Sequence, residues 1–126
     1  MVVSLGGDAD VPLRLGDDFV EVFRLDESKQ LIGAIDSGAL LMGALGLLKG
    51  KKVTTYPRAD IKALLEDMGA TVVWESFVRD GNVATAAQCL SGQYLAGWVI
   101  ETLVSVEQKE RALNSVAPLE FVQVNL

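Results

Sequence analysis

Apolar positions along this chain fall into two rhythms. Residues 2–5, 31–35 and 53–56 are short apolar or mixed runs bounded by glycine, aspartate or lysine, and they read as strands. The run 31–35 is apolar throughout, as expected of a central parallel strand covered on both faces. Residues 71–74 and 77–78 are also strand-like, and Asp80-Gly81 signals a turn into a strand at 83–85. Between these runs, apolar residues recur every three or four positions, as amphipathic helices require. A helix is predicted over 17–24 with Phe19, Val20 and Phe23 on one face. Residues 37–48 are apolar on nearly every side and predict a buried helix, with Gly43 and Gly46 permitting close approach to a sheet and Gly50 as the stop.

Pro57 fits the first turn of the next helix, which carries Ile61, Leu64, Leu65 and Met68 and ends at Gly69. A helix over 91–103 places Tyr94, Leu95, Trp98, Val99 and Leu103 on one face, so Tyr94 and Trp98 are expected in the core. Ser105 with Gln108 forms a capping box for a last helix reaching about Asn114. Strands alternating with helices argue for an α/β sandwich with a mostly parallel sheet. A repeat, a linker and low-complexity sequence are all missing from the pattern.

Composition narrows the function. A chain of 126 residues suits one domain, and one of this size buries roughly two-thirds of its unfolded surface. Half the residues are hydrophobic, and the mean hydropathy of +0.32 predicts buried elements and an apolar interface. The net charge is −6, and the cations are scattered apart from Lys49, Lys51 and Lys52, a group expected to cover a helix end and solvate a surface. That distribution lacks the basic stripe of a nucleic-acid binder. The chain has no histidine, which excludes a Ser-His-Asp or Cys-His site built within it and any histidine-ligated metal. No cofactor or metal is expected.

The single cysteine, Cys89, excludes an internal disulfide and fits a reducing, cytoplasmic setting. Met1 is followed by residues 2–5 with no basic stretch, so a cleavable signal is not expected. Residues 31–48 reach the lower length limit for a membrane span, but Asp36 lies inside at a cost of about 3 kcal/mol, so no membrane role is expected.

Residues 31–57 read LIGAIDSGALLMGALGLLKGKKVTTYP: a strand, a sharp turn through Asp36-Ser37-Gly38, an apolar helix and a second strand. This run resembles the core of the ThiJ/PfpI (DJ-1-like) superfamily, where A-I-C-x-G is followed by L-L-x-x-x-G-L-L-x-G-x-x-V-T-x-x-P. The resemblance implies a three-layer α/β sandwich of the flavodoxin-like, class I glutamine amidotransferase-like kind. It also implies a strained turn, the nucleophile elbow, which lifts a reactive side chain out of the sheet. The family cysteine is matched here by Asp36. By the same resemblance, the amides of Gly7 and Ser37 form an oxyanion hole, Gly6, Gly38 and Tyr56 belong to the same ligand-binding set, and the loop 86–91 with Cys89 lines the pocket. Tyr56 stands where the family often has histidine, and Ser37 where another branch has one.

The resemblance covers nearly the whole chain, but only the later two-thirds of a typical member. Such members begin with a strand-helix-strand unit that also supplies a glutamate near the cysteine. The expectation is therefore that another polypeptide supplies that unit, or that the chain is a fragment. A companion chain or homo-oligomer follows, the family commonly forming dimers.

Several roles stay open for the site residues. Asp36 is an N-cap of the following helix, a mimic of an oxidised (sulfinate) cysteine, or a nucleophile or base that forms an ester or anhydride. Cys89 is a small half-buried residue before a helix or a reactive thiol. Arg14 is an exposed loop cation or a contact for an anionic ligand. Three functions compete: a small-molecule-binding or regulatory domain without catalysis; an enzyme related to deglycases or glyoxalases, amidases or peptidases, or isonitrile hydratases; and a structural subunit of an oligomer.

Overall fold

The computed structural model describes residue 18 and residues 21–118. The expected strand at 2–5, Gly6, Gly7 and Arg14 lie outside the described residues. Of the helix expected over 17–24, Asp18, Glu21 and Val22 are helical.

The first described strand, β1 (Ile32–Ile35), is sorted by its own alternation. Ile32 and Ala34 enter one apolar cluster, while Leu31 and Ile35 meet the other. A turn of 3-10 helix (Asp36–Gly38) follows and leads into α1 (Ala39–Ala44). The helix is shorter than its apolar run predicts. Gly46 takes φ 77°, Gly46 N–H bonds to Gly43 O and Leu47 N–H to Met42 O, which closes a Schellman stop. Leu45 to Gly50 then forms successive turns, with Gly50 at φ 76°. Gly46 is therefore the stop and not a packing glycine. Gly43 makes the close approach, and it faces Leu65 and Met68 instead of a sheet.

Strand β2 (Lys52–Val53) leads to α2 (Ala59–Asp67). Arg58 is the cap residue, so Pro57 lies outside the helix rather than in its first turn. Extended backbone at Arg58, φ −126° and ψ 134°, delays the start. The α2 end repeats the Schellman pattern at Gly69, φ 92°. Next come β3 (Thr71–Val72), β4 (Phe77–Asp80) and β5 (Val83–Ala86). Gly81 has φ 65° and Asn82 does not, the signature of a two-residue II′ hairpin turn between β4 and β5. The chain closes with a 3-10 turn (Cys89–Ser91), α3 (Gly92–Leu103) and α4 (Val106–Val116).

β1 and β5 pair in parallel with Ile32 opposite Val83, and β5 pairs antiparallel with β4. β2 and β3 form a separate parallel pair. The two sheets are tied by side chains as well: Lys52 N–H donates to Asp80 Oδ2 at 2.9 Å and Thr54 N–H to Thr85 Oγ1 at 2.8 Å. This is an α/β layered fold. On one face of β1, Leu40, Met42, Ile61 and Leu65 are essentially closed to solvent and pack with Val53 and Val72. Each such side chain contributes about 1.5–3 kcal/mol. On the other face, Leu95 and Trp98 of α3 cover Leu31, Ala84 and Ala86. Tyr94 is not in this core; it is 50% exposed, and Leu103 is 65% exposed, because the covered stripe of α3 is narrower than its apolar one.

Candidate ligand site

Asp36 follows the last residue of β1 and has φ 62°, the sole non-glycine with positive φ among the described residues. A left-handed backbone costs an L-residue about 1–2 kcal/mol, and Asp tolerates it better than most. Its carboxylate Oδ2 accepts the Ser37 N–H at 2.8 Å. Its carbonyl accepts from the Thr55 hydroxyl at 2.9 Å and from Tyr56 N–H at 3.4 Å. The end of β1 is thus bolted to the segment that leaves β2. The N-cap expectation is corrected here: the cap position of the 3-10 turn is Ile35 and that of α1 is Gly38, and neither makes a side-chain cap bond. Asp36 accepts from the very next amide instead.

Of the expected site residues, Ser37 and Gly38 are buried beside Asp36, and Tyr56 joins them through its backbone. Cys89 is exposed, not half-buried. Among the described residues no group of three acidic, cysteine or histidine side chains could hold a metal ion.

A cavity of about 220 Å³ opens beside this turn, lined by Thr54, Thr55, Pro57, Trp74, Glu75, Ser76, Ala87, Gln88 and Ser91. Its walls are the three segments leaving β2, β3 and β5. In parallel α/β sheets the carboxyl ends of the strands are where ligands bind. Thr54 Oγ1 donates to Glu75 O at 2.6 Å, and Ala87 N–H to Ser76 O at 3.0 Å, so the three walls are fastened to one another. Ala87, Gln88 and Ser91 fall in the loop 86–91 expected to line a pocket; Thr54, Trp74 and Glu75 are site residues that sequence reasoning missed. Their shared signal is position: each follows the last residues of a strand.

The model of the DJ-1/PfpI family matches residues 1–102. The chain belongs to the DJ-1/PfpI family. An isonitrile hydratase of Pseudomonas putida is 32% identical over 108 residues, which are 84% of this chain and 46% of that protein. The chain therefore spans less than half the length of this relative. A ThiJ/PfpI family protein from Pseudomonas syringae superposes with a TM-score of 0.77 at 26% identity, over 93% of this chain and 50% of that one. Drosophila melanogaster DJ-1beta has the same fold, with a TM-score of 0.72 at 24% identity over 98% of this chain and 64% of that one. No helix among the described residues is long and apolar enough to cross a membrane.

Proposed function

We propose that this DJ-1/PfpI-family chain binds a small molecule at the Asp36 turn and does no cysteine chemistry there, Asp36 standing at the family's nucleophile position. One observation carries the reading: Asp36 holds the left-handed strand-to-helix geometry of a nucleophile elbow, and its carboxylate occupies the Ser37 amide. That amide is the donor an oxyanion would use. A carboxylate nucleophile would also need a second group to activate water, and the chain has no histidine to do so.

The test compares the natural chain with Asp36→Cys on methylglyoxal. The natural chain should be inert, and the variant should gain turnover. A variant that folds and gains nothing would count against an intact but disarmed elbow.

A second reading is favoured by the likeness to isonitrile hydratase. In it, Asp36 acts as base or nucleophile on a small substrate. Hydration of an isonitrile by the natural chain, lost in Asp36→Asn, would establish that reading and overturn the first.

The same proposal gives the domain a polypeptide partner, a second copy or a companion chain. Leu103, Val104, Val106 and Val116 are 50–74% exposed and support an apolar contact. Native mass spectrometry reads this directly, and a lone 13.5 kDa species would refute it. A cytoplasmic location accompanies the proposal because Cys89 is exposed and free. A Cys89 found oxidised in protein taken from cells would contradict it.

A further inference from the structure

We infer that the cavity beside the Asp36 turn takes a small organic cation, with the charge at Glu75 and the apolar body against Trp74. This deepens the small-molecule reading above and rests on it. Glu75 and Trp74 are consecutive and both line the cavity, so a carboxylate-bearing and an indole-bearing residue belong to the same wall. Trp74 is 54% exposed, unusual for an indole, and leaves part of its ring uncovered. Glu75 makes no ion pair with any described residue. A carboxylate next to an aromatic face is the pairing that recognises ammonium groups.

The surrounding charges agree. Among the described residues, no lysine or arginine lines the cavity. Arg58 follows the lining residue Pro57, but its guanidinium is engaged by both carboxylate oxygens of Asp60, at 3.1 and 2.5 Å. Arg79 lies over the Trp98 ring, 5.9 Å from its centroid, and bonds to Gly81 O. The backbone carbonyl of Asp36 is tied to the lining residue Thr55, and the whole chain carries −6. Among the described residues, the lining offers an anionic ligand no cation.

Polar groups are available to orient the guest. Ser91 lines the cavity while only 9% exposed, and Gln88 adds an amide at the rim. The volume of about 220 Å³ is enough to admit a guest the size of a benzylamine.

The experiment is a titration of the full chain, followed by its ¹H–¹⁵N spectrum, with benzylammonium, benzyl alcohol and benzoate. These share a shape and differ in charge. Benzylammonium should shift the Trp74 indole and the Glu75 and Gln88 amides. The buried Trp98 indole should stay still. Benzyl alcohol should bind about tenfold more weakly, as expected for loss of one partly screened charge contact. Glu75→Gln should weaken benzylammonium about tenfold and leave benzyl alcohol unchanged. Benzoate binding as well as benzylammonium, or an unchanged affinity in Glu75→Gln, overturns the cation assignment and leaves the cavity a ligand site. Equal shifts at both indoles also overturn it, because the binding would then be unspecific. A folded chain in which none of the three probes moves a cavity residue overturns the cation assignment and the small-molecule reading together.

Discussion

The Thr55 hydroxyl donates to the Asp36 carbonyl at 2.9 Å, joining the segment beyond β2 to the strained turn at the end of β1. Thr55 is fully buried, so removing its hydroxyl leaves the carbonyl with only the longer Tyr56 amide bond. Thr55→Val should cost about 1–3 kcal/mol. Urea denaturation measures it, and a loss under half a kcal/mol would mean the bond contributes nothing.

The positive φ at Asp36 ranks three side chains. Ala there keeps the left-handed strain and loses the Ser37 bond, whereas Gly loses the bond but relieves the strain. Asp36→Gly should therefore be more stable than Asp36→Ala by about 1 kcal/mol. Equal midpoints in urea would show that the turn relaxes out of the left-handed region.

Gly33 sits under Leu95, whose Cδ1 would lie 2.8 Å from an added Cβ. Leu95 is buried with Ala84, Ala86 and Trp98 and has little room to move. Gly33→Ala should cost about 1–3 kcal/mol through overpacking. Gly43→Ala meets the far end of the flexible, half-exposed Met68 and should cost less. Thermal unfolding of the pair gives the order, and the reverse order would contradict the packing described.

Ser105 caps α4 by accepting the Gln108 amide at 3.1 Å, while its own amide bonds to Ile100 O at 3.2 Å. The capping box is therefore half made. Ser105→Ala should cost about 1 kcal/mol, and Gln108→Ala almost nothing. Circular dichroism in urea distinguishes them, and equal losses would restore the full box.

Stability should be flat from pH 6 to 8, because no histidine titrates there. The hydroxyl and amide of Ser28 hold Asp26 below its usual value, and Arg58 does the same for Asp60. Depressed folded values mean that these contributions are present above the ordinary carboxylate range. They are lost as pH falls through the folded values, so acid weakens the fold. Both groups lie at the surface, where salt screens them. A steep fall in melting temperature between pH 8 and 6 would contradict this account.

The sequence made some features legible and hid others for physical reasons. β1 was readable because burial on both faces leaves an unbroken apolar run at 31–35. The sharp turn after β1 was readable because Asp36-Ser37-Gly38 interrupts that run at one point. The length of α1 was not, since Gly46 can sit inside a helix or end one, and only its φ decides. Tyr94 was misplaced because period 3.6 shows which residues share a stripe, not how much of the stripe a neighbour covers. Two walls of the cavity stayed invisible because Thr54 and Trp74 meet the loop 86–91 only once three strands are laid side by side.

The β1–β5 pairing also sets how the chain assembles. The partners lie about fifty residues apart, so chain entropy is lost before any bond of that ladder forms. The β4–β5 hairpin closes locally through Gly81 and can form in microseconds. Until β1 arrives, the β5 edge presents Val-Ala-Thr-Ala with its hydrogen bonds unmade, open to any other chain. Refolding yield should accordingly fall as protein concentration rises, and the vulnerable interval ends when Ile32 finds Val83.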